Sequence, residues 1–150
     1  MRSLIPRLTE PMSSYDFLTK WLPKKVFLPE PRRLRMQWWH VDSTNGLGGE
    51  HGLLASAPNM IPECGTVGCI GGWTELALTG SARLAEAEVR EALGLTSEMA
   101  DELFYDHAVC NLPNQGTRDH TLAVIRHIKD FARRHETELK AHIINPADYA

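Results

Sequence analysis

A mainly α, single-domain helical bundle of about four to six helices is the fold this sequence predicts, and three observations carry it. Apolar residues recur at helical spacing through residues 64–144, with glycines where helices should stop. Seven of the nine prolines (Pro6, Pro11, Pro23, Pro29, Pro31, Pro58 and Pro62) precede that region, so the first part of the chain reads as loop-rich, with room for a short β-hairpin near 33–55. The length of 150 residues suits one domain, and 43% hydrophobic with 23% charged residues is ordinary for a globular chain. The expected domain is 1–150, with a loop-rich segment over 1–63 and a helical core over 64–144.

The elements follow in order. A short helix fits Ser14 to Leu22, capped by Ser13 or Ser14, with Tyr15, Phe17, Leu18, Trp21 and Leu22 apolar. Arg33 to Val41 partly alternates and suits a strand or a short helix equally. Asp42 to Glu63 is a long loop by composition. Helices then fit Thr66–Leu78, stopped at Gly80, and Ala82–Leu93, stopped at Gly94. A third fits Ser97 to Phe104 or Tyr105, capped by Thr96 or Ser97. After a turn-rich connection from Asp106 to Gly116, a last helix opens at Thr117 and extends to about His142.

The segment CGTVGCIGGWTELALTG, residues 64–80, is the least ordinary part of the chain. Cys69, Ile70, Trp73, Leu76 and Ala77 form an apolar stripe, yet Gly68, Gly71 and Gly72 interrupt it at ~1 kcal/mol each relative to alanine. On a helix, Gly65, Gly68 and Gly72 share one face, which suits close packing of another backbone. The sharper alternative is an anion site, with Gly65, Thr66 and Gly68 offering free N–H groups at a helix N-terminus to phosphate or carboxylate. Neither a P-loop nor a dinucleotide fingerprint is present.

This box, followed by Leu93-Gly-Leu95, Leu103-Phe104-Tyr105 and a helix opened by Thr117, resembles a family of small proteins scattered through bacteriophage and bacterial genomes. That family carries a CGTxxCIAGxA-like box, an LGL…LF segment and a C-terminal amphipathic helix. The resemblance covers about residues 64–132, with Gly71 where the family has alanine. It implies a helical fold and a phage-like origin, and carries no activity to transfer.

Three cysteines, Cys64, Cys69 and Cys110, cannot all pair within one chain, so buried reduced thiols in a cytoplasmic setting are expected. With His107 they would make a tetrahedral zinc set, but Cys64 and Cys69 are spaced more loosely than a zinc knuckle and Cys69 falls on the apolar stripe. No metal and no cofactor are expected. His120, His127, His135 and His142 fall in one ~80° sector of the last helix, too far apart for one ion, and should rim its buried face.

Residues 88–104 mimic helix-turn-helix spacing, but the would-be recognition helix carries Glu98, Asp101 and Glu102 and no cation, which repels phosphate. The formal charge of −3 likewise gives no bulk attraction to nucleic acid or anionic lipid. No apolar run reaches the ~18 residues of a membrane span, and the patch near the first residue is too short for a signal peptide. Cations gather elsewhere, on the outer face of the last helix (Arg126, Lys129, Arg133, Lys140) and near the N-terminus. The second group, Lys24, Lys25, Arg32, Arg33 and Arg35 interleaved with Trp21, Trp38 and Trp39, is the candidate partner surface. The expected function is a non-enzymatic interaction protein of phage or prophage type, engaging a host protein or protein complex as inhibitor or accessory factor. RNA or DNA is the less favoured partner, and no membrane is expected. The alternative is a small phosphate- or nucleotide-binding protein or enzyme built on the Gly65-Thr66 helix start.

Overall fold

The structure, a computed structural model, describes residues 6–31, 34, 40–42, 66–80, 86–105 and 117–149. It is mainly helical with short antiparallel pairings, as the sequence predicts. Strand β1 (Met12–Ser13) leads directly into α1 (Ser14–Asp16), and the Ser13 hydroxyl caps that helix by accepting from the Asp16 N–H at 3.1 Å.

The first helix does not stop at Leu22. It continues in π geometry through Phe17–Trp21 and Pro23–Phe27, with the Leu22 N–H donating to the Phe17 carbonyl and the Leu28 N–H to the Pro23 carbonyl at 2.9 Å. In an α-helix the ring of Pro23 would press on the carbonyl of Thr19, four residues back; the wider i→i+5 turn relieves that crowding. Burial supplies the drive, because Phe17, Leu18, Leu22, Val26 and Phe27 all enter the core.

Strand β2 (His40–Asp42) lies where the sequence leaves room for a hairpin and pairs antiparallel with β3 (Thr66–Gly68), His40 opposite Gly68. The central helix α2 spans Ile70–Thr79 with Cys69 at its N-cap, so the expected start at Thr66 moves four residues along the chain. Leaving Gly68 to a strand removes one ~1 kcal/mol glycine cost from the helix. All ten residues of α2 are buried, including Gly71, Gly72 and Glu75.

Around α2 stand α3 (Glu86–Leu93) and α4 (Ser97–Phe104), the latter capped by Thr96. Then come α5 (Arg118–Arg134), capped by Thr117, α6 (Glu136–Ala141), and β4 (Ile143–Ile144), which returns antiparallel to β1. The single helix expected from Thr117 to His142 is therefore broken at His135, which leaves helical geometry at φ −119°, ψ 27°. Neither glycine nor proline marks the break. The charges do: Arg133 and Arg134 end one helix and Glu136 and Glu138 begin the next, each favoured by the dipole it faces. The 81–85 start of the second expected helix and the 43–63 and 106–116 connections lie outside the described residues.

Two glycine stops occur where the sequence places them. Gly80 ends α2 at φ +78°, and Gly94 ends α3 at φ +71°. At the second, the Leu95 N–H reaches the Arg90 carbonyl and the Gly94 N–H reaches that of Glu91, both at 3.0 Å, the paired bonds of a Schellman motif. A methyl at Gly94 would meet His142 Nδ1 at 2.6 Å; one at Gly80 would meet only the guanidinium tip of Arg7, at 2.5 Å. Left-handed geometry alone costs a non-glycine residue ~1–2 kcal/mol. Urea denaturation should therefore show Gly80→Ala destabilised by about that amount. Gly94→Ala should lose about 1 kcal/mol more, because the His142 hydrogen bond goes with it.

Candidate functional site

The N-terminal helix carries the described part of the basic–aromatic surface. Its inner side, with Leu18, Leu22, Pro23 and Val26, is buried and fixes the outer side in place. Trp21 is half-buried and stacks on Phe17 with ring centroids 5.3 Å apart and planes 14° from parallel. Lys20 reaches Asp16 at 3.4 Å. Lys24 and Lys25 are exposed, and among the described residues no carboxylate pairs with either. The helix thus presents beside an aromatic ring two cations that have no carboxylate partner among the described residues. Arg32, Arg33, Arg35, Trp38 and Trp39 lie outside the described residues.

The glycine box has a different form from the one expected. Thr66 and Gly68 belong to β3, and the helix N-terminus sits at Ile70 with no side-chain cap from Cys69. An anion cradle at a helix starting with Thr66 is therefore not built, because that stretch gives its backbone groups to the β2 ladder. The shared helical face of Gly65, Gly68 and Gly72 disappears for the same reason; Gly65 itself lies outside the described residues. Cys69 is buried at the core edge, while Cys64, His107 and Cys110 lie outside the described residues. Among the described residues no group of three or more His, Cys, Asp or Glu could hold a metal ion.

The histidines do more than rim a face. His120 is buried. His127 Nε2 lies 3.1 Å from the Glu102 carbonyl and 3.3 Å from that of Leu103; carbonyls only accept, so the ring donates. These are end carbonyls of α4, which lack partners within their own helix. His142 Nε2 donates in the same way to Ala92, at 2.9 Å, near the end of α3. His142 lies past the end of α6 in extended backbone, outside the helix in which the sequence counted it.

One cluster escaped the sequence reading. The Glu102 carboxylate of α4 receives Arg134 on one oxygen and His135 on the other, the latter at 2.8 Å, while the His135 ring packs on Phe131 at 4.7 Å. The groups are 33 residues apart in sequence, so no local pattern could announce the contact. Glu75 escaped too: a lone carboxylate in an apolar helix, it is fully buried. On a helix it falls opposite the stripe of Cys69, Trp73 and Leu76, so periodicity assigns it to the outer side and only packing shows its burial.

Among the described residues two titrating groups depart from their ordinary values. The hydrogen bond to Glu136, at 2.7 Å, holds the exposed Lys140 ammonium above the usual lysine range. Burial pushes the Tyr149 phenol up, helped by Asp148 and by Glu91 and Glu88 of α3. Among the described residues no helix is long and apolar enough to cross a membrane. Comparison of the chain with family models, curated proteins and solved structures finds no match.

Three measurements check this site. Protein purified without chelator should carry less than ~0.2 zinc per chain, since a structural zinc would bind too tightly to be lost. In a double-mutant cycle read by urea denaturation, Glu102→Gln and His135→Ala should each cost about 1 kcal/mol and be non-additive, since each breaks the same pair. His127→Ala should cost about 1–2 kcal/mol by leaving helix-end carbonyls without a donor.

Proposed function

We propose that this chain is a non-enzymatic interaction protein of phage or prophage type, working in the host cytoplasm and engaging a host protein or complex as inhibitor or accessory factor. The observation that carries the reading is the pair Lys24 and Lys25, exposed and unpaired among the described residues, beside half-buried Trp21 on a helix anchored by its buried side. A rigid aromatic next to uncompensated cations suits an acidic protein surface: the ring offers area at little entropic cost, and the cations steer approach. Lysine ammonium groups on flexible stems attract carboxylates without demanding one geometry, which fits a rim contact.

Chemical crosslinking in bacterial lysate tests it. The wild-type chain should capture a discrete acidic partner that a Lys24→Glu/Lys25→Glu variant captures about tenfold less, as expected when two exposed attractions of ~0.2–1 kcal/mol each turn repulsive. The variant should keep the wild-type circular dichroism and urea midpoint, because both side chains are exposed. Absence of any discrete partner, or capture indifferent to the charge reversal, overturns the reading.

A further inference from the structure

A second cationic surface runs along α5. Arg118, Leu122, Arg126, Lys129 and Arg133 recur at four- and three-residue steps, so they fall within one ~80° sector of the helix, and all five are exposed. His127, Arg134 and His135, which reach α4, lie outside that sector. The stripe is thereby set apart on the helix from the flank that meets Glu102 and Leu103 of α4. Arg133 is paired with Asp130 at 3.0 Å, whereas Arg118, Arg126 and Lys129 have no carboxylate partner among the described residues. Asp119 and Asp130 border the stripe.

We propose that this stripe is a binding surface for the phosphate backbone of a nucleic acid, contacted without base recognition. From Arg118 to Lys129 the helix rises ~16 Å, about 12 Å of it to Arg126 and about 4.5 Å beyond. One DNA strand carries a charge every ~3.4 Å of axis, so the three cations span about five phosphates and each can reach a different one. Leu122, 39% exposed between the cations, places apolar surface where a sugar face would lie. Three cations without a carboxylate partner among the described residues make a weak, salt-sensitive contact, and Glu102 of α4 meets another side of the helix. This surface shares no residue with the Lys24–Lys25 face, so it stands or falls independently of the function proposed above.

The test is fluorescence anisotropy with labelled single-stranded and duplex oligonucleotides of about 20 nucleotides, from about 25 to 200 mM salt. Binding at low salt is expected, with a slope of log K on log salt of about −2 on single strands and about −3 on duplex, corresponding to three phosphate contacts. Arg118→Glu/Arg126→Glu/Lys129→Glu should weaken it at least about tenfold, while Lys24→Glu/Lys25→Glu leaves it within about twofold. If the triple variant misfolds, Arg126→Gln/Lys129→Gln should instead flatten the slope by about 2. No binding at low salt, equal loss from both charge-reversed faces, or equally tight binding of poly-glutamate overturns the proposal; the last outcome would assign the stripe to an acidic polypeptide.

Discussion

The last carbonyls of α2, α3 and α4 need hydrogen-bond donors. No helix supplies these to itself, because its final four carbonyls have no partner further along the turn. Arg7 meets the need at α2, reaching the carbonyls of Ala77 at 3.3 Å and Leu78 at 3.2 Å, while the Leu8 N–H takes Ala77 from the other side at 2.9 Å. At α3 the Ser14 hydroxyl donates to Leu93 at 2.7 Å and His142 to Ala92. At α4 His127 serves Glu102 and Leu103. Except for the last, every donor comes from near one end of the chain, so closing the helix ends closes the fold.

That arrangement explains how α2 can be buried on every side. A helix without a wet face must find all its terminal partners in protein, and Arg7 also places a cation where the helix dipole is negative. Ser14 works as a joint: its hydroxyl closes α3 while its N–H donates to the His142 carbonyl at 2.9 Å, so both chain ends meet at one residue. Apart from Glu75, the charged residues described on the helices are left nearer the surface, where acids outnumber cations on α3 and α4 and cations outnumber acids on the N-terminal helix and α5. The surfaces proposed for binding are the cationic ones, because their side chains are held on helices and several have no carboxylate partner among the described residues.

Local rules yield to packing at two places. Pro23 would end an α-helix, yet burial of Val26 and Phe27 beyond it outweighs the local preference, and the helix widens to pass the proline. At His135 the reverse happens: a sequence with no breaker is interrupted, and Arg134 and His135 both turn to Glu102. The bend lets Leu139 and Ile144 reach the core and sets β4 beside β1.

The sequence by itself determined the mainly helical class, the stops at Gly80 and Gly94, a cap at Thr96 or Ser97, the opening of a helix at Thr117, and the apolar stripe of the central helix. Each depends on residues within one or two turns of each other, so periodicity and capping chemistry reveal them. It also displayed the cluster of cations and aromatics near the N-terminus, but ended the helix at Leu22, and only the structure carries the helix on to hold Lys24 and Lys25. Only the tertiary structure decided the rest: the π continuation past Pro23, the strand at Thr66–Gly68, the break at His135, and the service of His127 and His142 as helix-end donors. Those outcomes depend on partners 25 to 50 residues away in the histidine bonds and on strand pairing across the chain, where the energy of burial and of satisfying carbonyls exceeds the local preferences that a sequence displays.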